Sequence, residues 1–160
     1  MIVFKEATLE DANELVEVKI EAFKEDVLLY GAGPSGYDSI DFQRKLILNN
    51  ICYKILDKHK IIGGFVLFDK GNSHYRIGNI FIDPKYQNKG IGTLTIQFIE
   101  KEFDHVKKWS LDTPYLSYRN HHFYEKMGYK KVGETQLEKG SKFRLFEYEK
   151  HVESFKGKRI

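Results

Sequence analysis

The stretch Ile80-Phe81-Ile82-Asp83-Pro84-Lys85-Tyr86-Gln87-Asn88-Lys89-Gly90-Ile91-Gly92-Thr93 has the residue types needed to hold a phosphate. An apolar strand runs into a short turn, and a helix then opens at two glycines. A helix start leaves about four backbone amides without intrahelical acceptors and carries roughly half a unit of positive charge. Glycine there lets a phosphate reach the backbone with no Cβ in the way, and Lys89 can add charge at the rim. A tight turn or close helix–sheet packing would explain a bare Gly-x-Gly equally well. Two nucleotide motifs are excluded. A P-loop needs Lys and Ser/Thr directly after its last glycine, where this chain has Thr93-Leu94, and the third glycine of a Rossmann fingerprint is replaced by Thr95.

A second set of chemical side chains follows in Asn120-His121-His122-Phe123-Tyr124-Glu125-Lys126-Met127-Gly128-Tyr129. Phe123 and Met127 are i,i+4 and bury one helix face, Lys126 suits the helix C-terminus, and Gly128 supplies its left-handed stop. Read locally, Tyr124 is an amphipathic tyrosine with its hydroxyl near the surface. The adjacent His121 and His122 point roughly 100° apart on a helix and cannot chelate one ion from one face. His105 has no obvious partner, and no metal is expected.

These residues need a scaffold. Residues 3–7 read as a strand. Thr8-Leu9-Glu10-Asp11 resembles a capping box, and Ala12, Leu15, Val16, Ala22 and Phe23 follow at helical spacing. Gly31-Ala32-Gly33-Pro34-Ser35-Gly36 is a loop, and a shorter helix covers 40–48. Strands are expected at 51–56, 61–68 and 75–82, the last ended by Pro84. A helix then covers 90–103, a strand 106–111, a helix 117–127, and two strands close the chain at 129–134 and 142–148. The order is strand, two helices, three strands, helix, strand, helix, two strands, a mixed α/β sheet with helices on both faces.

Gln87-x-x-Gly90-x-Gly92 downstream of an Asp-Pro resembles the acyl-CoA pyrophosphate loop of the GNAT superfamily, written Arg/Gln-x-x-Gly-x-Gly/Ala between the fourth strand and third helix. The strand before it matches too, in Ile77-x-x-Ile80-x-Ile82-x-Pro84, and Asn120-x-x-Phe123-Tyr124-Glu125-Lys126-x-Gly128-Tyr129 is similar to a familiar ending of that family. The likeness runs from about Ile77 to Glu134. It implies a GNAT-like fold in one domain over 1–160, with residues 151–160 as a tail. The sheet should have about seven mostly antiparallel strands, splayed between strands 4 and 5 and flanked by about four helices. It implies an acetyltransferase using acetyl-CoA as acyl donor. The amides of Asn88, Lys89, Gly90, Ile91, Gly92 and Thr93, with Gln87, then hold the pyrophosphate, and Phe81 and Ile82 offer backbone groups to the pantetheine arm. Asn120 and Lys126 join the cofactor-binding set. Tyr124 stands beside the sulfur. Homodimers are common among such relatives.

The implied reaction makes three demands. An alkyl amine lies about 3.4 pH units above neutrality, which costs roughly 4.6 kcal/mol to deprotonate, so a base or desolvation must help. The growing oxyanion needs a donor, for which the resemblance offers the amide of Ile82. The leaving thiolate needs a proton, for which it offers Tyr124. Many relatives carry a basic glutamate on the fourth strand, but Arg76-Ile77-Gly78-Asn79-Ile80-Phe81-Ile82 holds no carboxylate. His74, Asp26 and Asp112 are substitutes, while Asp83 is expected to cap its turn. Glu21, Glu25, Asp26, Asp38 and Asp41, with Phe23, Tyr30, Tyr37 and Phe42, would suit a cationic amine of a small molecule or peptide. The rival is a non-catalytic acyl-CoA-binding or sensing module.

Composition removes other classes. In 160 residues, 41% hydrophobic and 14% aromatic, there is core material for one domain. No run approaches the ~20 apolar residues of a membrane span. The start Met1-Ile2-Val3-Phe4-Lys5-Glu6 lacks the plan of a signal peptide, and Cys52 is the single cysteine. A soluble cytoplasmic protein without membrane partners is expected. The net charge of +3, from 26 basic and 23 acidic residues, includes no basic stripe beyond the tail Lys156-Gly157-Lys158-Arg159, so no nucleic-acid partner is expected.

Overall fold

The computed structural model describes residues 1–153. The alternating N-terminal residues form β1 (Ile2–Glu6), and a short 3-10 turn, Leu9–Asp11, leads into α1 (Ala12–Ala22). The capping box is present at that turn: the Thr8 amide donates to Asp11 Oδ2 at 2.7 Å. Lys54 donates to both oxygens of the same carboxylate at 3.0 and 2.9 Å. Then come α2 (Lys24–Tyr30), α3 (Ile40–Asn49), β2 (Ile51–Asp57), β3 (Lys60–Asp69) and β4 (His74–Ile82). A second 3-10 turn, Pro84–Tyr86, precedes α4 (Ile91–Glu102), β5 (Lys108–Pro114), α5 (Tyr118–Lys126), β6 (Lys130–Thr135) and β7 (Leu145–His151).

The seven strands run in the order β1-β2-β3-β4-β5-β7-β6. The pairs β1/β2, β2/β3, β5/β7 and β6/β7 are antiparallel, whereas β4 and β5 are parallel. That parallel pairing covers three positions, from His74↔Lys108 to Arg76↔Ser110. The expected mixed sheet, splayed between its fourth and fifth strands, is therefore present.

The chain divides into two compact units. One comprises Met1–Phe68 with Gly78–Phe98, the other Asp69–Ile77 with the chain from Ile99 onward. Strand alternation in the first unit separates two apolar clusters. Leu56, Ile61 and Phe81 pack with Leu15 and Val18 of α1, while Ile55 and Ile62 pack with Ile91 of α4. Each such fully buried side chain contributes about 1.5–3 kcal/mol. In the second unit Trp109, Leu111, Tyr129 and Tyr148 are almost wholly buried.

Some expectations need correction. Against the about four helices expected there are five α-helices among the described residues, the additional one being Lys24–Tyr30, which forms α2 after the chain bends at Phe23 (φ −98°, ψ 7°). This helix has no buried residue, and Leu28 is 81% exposed, so it left no apolar stripe to read. Its stop, Gly31 at φ +79°, is the glycine that opened the expected loop. The strand expected from Val106 begins at Lys108, because Val106 closes a turn onto the Phe103 carbonyl. Of the expected tail, His151 ends β7 and the Val152 amide bonds to Lys107 O at 2.8 Å. The basic residues Lys156 to Arg159 lie outside the described residues. No described helix is long and apolar enough to cross a membrane.

Candidate active site

The phosphate-loop residues lie together in the first unit. β4 ends where the Asp83 amide bonds to Ile62 O at 2.7 Å, and Asp83 Oδ1 caps the turn by accepting the Lys85 amide at 2.9 Å. Gln87 folds back, its Nε2 donating to Ile82 O at 3.2 Å. The backbone then turns through left-handed Asn88 (φ +62°) and Gly90 (φ +79°). Gly90 O accepts the first helical bond, from the Leu94 amide at 3.1 Å. The opening amides of α4 thus follow a turn whose left-handed residue at 90 is a glycine, and no atom lies within 4 Å of where a Cβ would stand there. Such a turn entering a helix is a ready anion cradle. It is firmly seated, because Ile82, Tyr86 and Ile91 share a cluster with Ile55 and Ile62. Lys89 is exposed, its ammonium 5.6 Å from the Tyr86 ring centre. Gly63 lets the end of β4 approach closely: a Cβ there would sit 2.3 Å from Phe81 O.

The tyrosine half lies in the second unit. Asn120 Nδ2 donates to Thr113 Oγ1 of β5 at 3.1 Å. His121 Nε2 lies 2.9 Å from Pro114 O, and its ring stacks on Phe146 at 4.8 Å. These contacts pin α5 to β5 and give His121 a structural role. Tyr124 is half-buried, with the rings of Phe123, Tyr129 and Tyr148 at 5.2, 5.9 and 6.4 Å. Burial, then the charge of Asp112, pushes its phenol up to about 12, so it is a protonated donor at neutral pH. Lys126 is exposed in the last turn of α5, and Gly128 stops the helix at φ +97°.

The alternative bases fall in different surroundings. Asp26 is raised above the usual carboxylate range by burial and by Glu25. His74 Nε2 lies 2.7 Å from Ser110 Oγ, and burial followed by Lys108 lowers its pKa. Asp112 Oδ2 accepts from Arg76 Nη2 at 2.6 Å, and the same nitrogen reaches Glu147 Oε1 at 3.1 Å. His105, expected to be unpartnered, lies 3.2 Å from Tyr75 OH. Among the acceptor-side residues, Phe23 meets the rings of Tyr37 and Phe81, each at 6.3 Å. Glu21 and Asp41 instead pair at the surface with Lys24 and Arg44. An open cleft of about 400 Å³ beside α1 is lined by Glu14, Glu17, Glu21, Asp83, Lys60, Val18 and Ile61. Sequence reading missed Arg76, whose signal is its place between Tyr75 and Ile77, pointing away from the apolar face. It also missed Lys19, which falls within the apolar stripe of α1 and is only 2% exposed.

The acetyltransferase (GNAT) domain family model matches residues 49–131. A curated relative from Bacillus subtilis (strain 168), S-(2-succino)cysteine N-acetyltransferase, is 27% identical over 150 residues, which span 86% of this chain and 89% of that protein. Among solved structures, the PaiA N-acetyltransferase of Thermoplasma acidophilum in complex with coenzyme A is 20% identical with a TM-score of 0.77, covering 95% of this chain and 99% of that one. An acetyltransferase from Thermus thermophilus reaches a TM-score of 0.78 at 14% identity, covering 95% and 97%. At those identities the solved structures speak for the fold, and the family match speaks for the chemistry. The chain belongs to the GNAT family of acyl-CoA-dependent acetyltransferases.

Proposed function

We propose that this enzyme transfers an acetyl group from acetyl-CoA to a primary amine of a small molecule or peptide by direct attack. The observation that carries the reading is the turn from Gln87 to α4, left-handed at Asn88 and Gly90 and hooked to Ile82 O by the Gln87 side chain. In this reading the amides from Asn88 to Thr93 take the pyrophosphate, with Lys89 at the rim. The backbone of Phe81 and Ile82 meets the pantetheine arm, and the Ile82 amide meets the oxyanion. Asn120 and Lys126 contribute from α5. Tyr124, held protonated at neutral pH, gives its proton to the departing thiolate.

For the acceptor, the curated relative's S-(2-succino)cysteine makes amino-acid-like amines the first class to try. The acidic cleft of Glu14, Glu17 and Glu21 would favour a cationic amine instead, so the panel should contain both. Replacing Tyr124 with Phe distinguishes the enzyme from a sensing module. Thiol release should fall about 100-fold, within the range for losing a general acid, while acetyl-CoA binding stays as in the parent. Unchanged turnover in Tyr124→Phe would remove the tyrosine from the mechanism.

A further inference from the structure

The second unit carries a polar sheet face that the proposed cofactor contacts do not use. Residues paired in register share a face, so His74 and Arg76 of β4 lie alongside Ser110 and Asp112 of β5 and Glu147 and Glu149 of β7. The opposite face carries Tyr75, Trp109, Leu111 and Tyr148, and α5 packs there through Tyr124 and His121. β5 is paired with β7 along its whole length, but its pairing with β4 ends at Ser110. The other edge of β5 beyond Ser110 therefore lies between a polar face bearing Asp112 and an apolar face bearing Tyr124.

The carboxylates on the polar face are not equivalent. Glu147 is engaged at both oxygens, Oε1 by Arg76 at 3.1 Å and Oε2 by the Thr135 hydroxyl at 2.8 Å. Asp112 takes Arg76 at 2.6 Å on Oδ2 alone, and among the described residues no hydrogen bond reaches Oδ1. Its side chain keeps 33% of its surface exposed, so Oδ1 can receive a partner from solvent. We propose that Asp112 is the proton acceptor for the incoming amine, with Arg76 and Glu147 as the residues that position it. This rests on the acetyl-transfer reading above and adds the base that the fourth strand lacks.

The protonation chemistry fits that role. Burial raises the Asp112 pKa and Glu147 raises it further, against the opposing pull of Arg76. The same carboxylate is coupled to the acid, since its charge helps hold Tyr124 protonated. The amine attacks in its neutral form, its first proton having gone to solvent; as the nitrogen bonds to the acetyl carbon, Asp112 takes the second nitrogen proton and becomes neutral. Its charge then no longer opposes ionisation of Tyr124, which gives its proton to sulfur as the C–S bond breaks. Proton transfer from Asp112 to the phenolate through water restores both groups, and the products are the amide and the free thiol. The acid strengthens at the moment its proton is needed.

The test compares the parent, Asp112→Asn, Asp112→Glu and Arg76→Gln. Acetyl-CoA affinity, melting temperature and thiol release are measured from pH 5.5 to 9, with S-(2-succino)cysteine as the probe amine and with water alone as acceptor. In Asp112→Asn, turnover should fall about 100-fold or more and the acid limb of the pH profile should lose its Asp112 component, leaving only the ionisation of the amine itself. Acetyl-CoA affinity and melting temperature should stay near the parent. Asp112→Glu should restore part of the rate, and Arg76→Gln should move the acid limb to higher pH because the group opposing Asp112 protonation is gone. The charges that face Asp112 and shape this limb are Arg76, Glu147 and Tyr124, with His74 next on the face. Turnover in Asp112→Asn within threefold of the parent, or an acid limb of the same shape as the parent's, would overturn the proposal. Failure of the parent to bind acetyl-CoA would instead overturn the functional reading beneath it.

Discussion

Replacing Lys19 with Met should stabilise the protein at neutral pH. Lys19 lies in α1, is only 2% exposed, and has its ammonium 5.3 Å from the centre of the Phe81 ring. Burial drives its pKa from 10.5 to about 8, with a small opposing pull from Cys52. That fall corresponds to about 3 kcal/mol of destabilisation below pH 8, at about 1.4 kcal/mol for each tenfold change in proton affinity. Methionine keeps the apolar stem and forfeits the cation–π contact, worth about 1 kcal/mol, so a net gain of about 2 kcal/mol is expected at pH 7.

The sign of the pH dependence is fixed. The folded pKa is the lower one, so between about pH 8 and 10.5 the unfolded chain binds more protons and the parent gains stability as pH rises. The advantage of Lys19→Met should therefore shrink by about 1 kcal/mol between pH 7 and 9. The buried Cys52 thiol, pushed up to about 11, acts in the opposite direction above pH 9, so the comparison stops there. Urea unfolding of both proteins at pH 7, 8 and 9 gives the difference directly. A less stable variant at pH 7, or an advantage that does not change with pH, would refute the reasoning.

Three other outcomes follow from the backbone and the ion pairs. Gly63→Ala would place a Cβ 2.3 Å from Phe81 O, so it should cost about 2 kcal/mol or more and lower acetyl-CoA affinity by moving the end of β4; chemical unfolding and calorimetry read both. Gly90→Ala meets no neighbour but must adopt φ +79°, at about 1 kcal/mol, so acetyl-CoA binding should weaken several-fold while the melting temperature changes by only a few degrees. Lys54→Met breaks the contact with Asp11 at 2.9 Å and leaves that carboxylate, held below its usual pKa in part by Lys54, bonded to Thr8 alone. A loss of about 1–2 kcal/mol is expected at pH 7, shrinking as pH falls below 3.8 and through the depressed pKa of Asp11, as read by thermal unfolding.

The strand–turn–helix around Gln87 to Thr93 was legible because its signals are local. Glycine at 90 and 92, Pro84 after the strand, and Gln87 at fixed spacing specify a strand–turn–helix with little help from the rest of the chain. Gly128 and the Phe123–Met127 pair marked the end of α5 for the same reason. Helix α2 was hidden because Leu28 and Leu29 face solvent and leave no apolar periodicity. Lys19 was hidden by the opposite conflict, since a charged side chain stands where the stripe calls for an apolar one. The cluster of Arg76, Asp112 and Glu147 comes from three strands whose register is set by long-range pairing. No short window of sequence brings residues 76, 112 and 147 together, so Asp112 could be named from sequence only as one substitute base among three.

The most direct test of the central claim is calorimetric titration with acetyl-CoA, run beside a thiol-release assay over a panel of amines with product masses recorded. The account predicts micromolar binding and, for at least one amine, thiol release matched by one acetyl group gained on nitrogen. Absence of acetyl-CoA binding would contradict the reading of Gln87 to Thr93, and binding without release for any amine would contradict acetyl transfer to an amine.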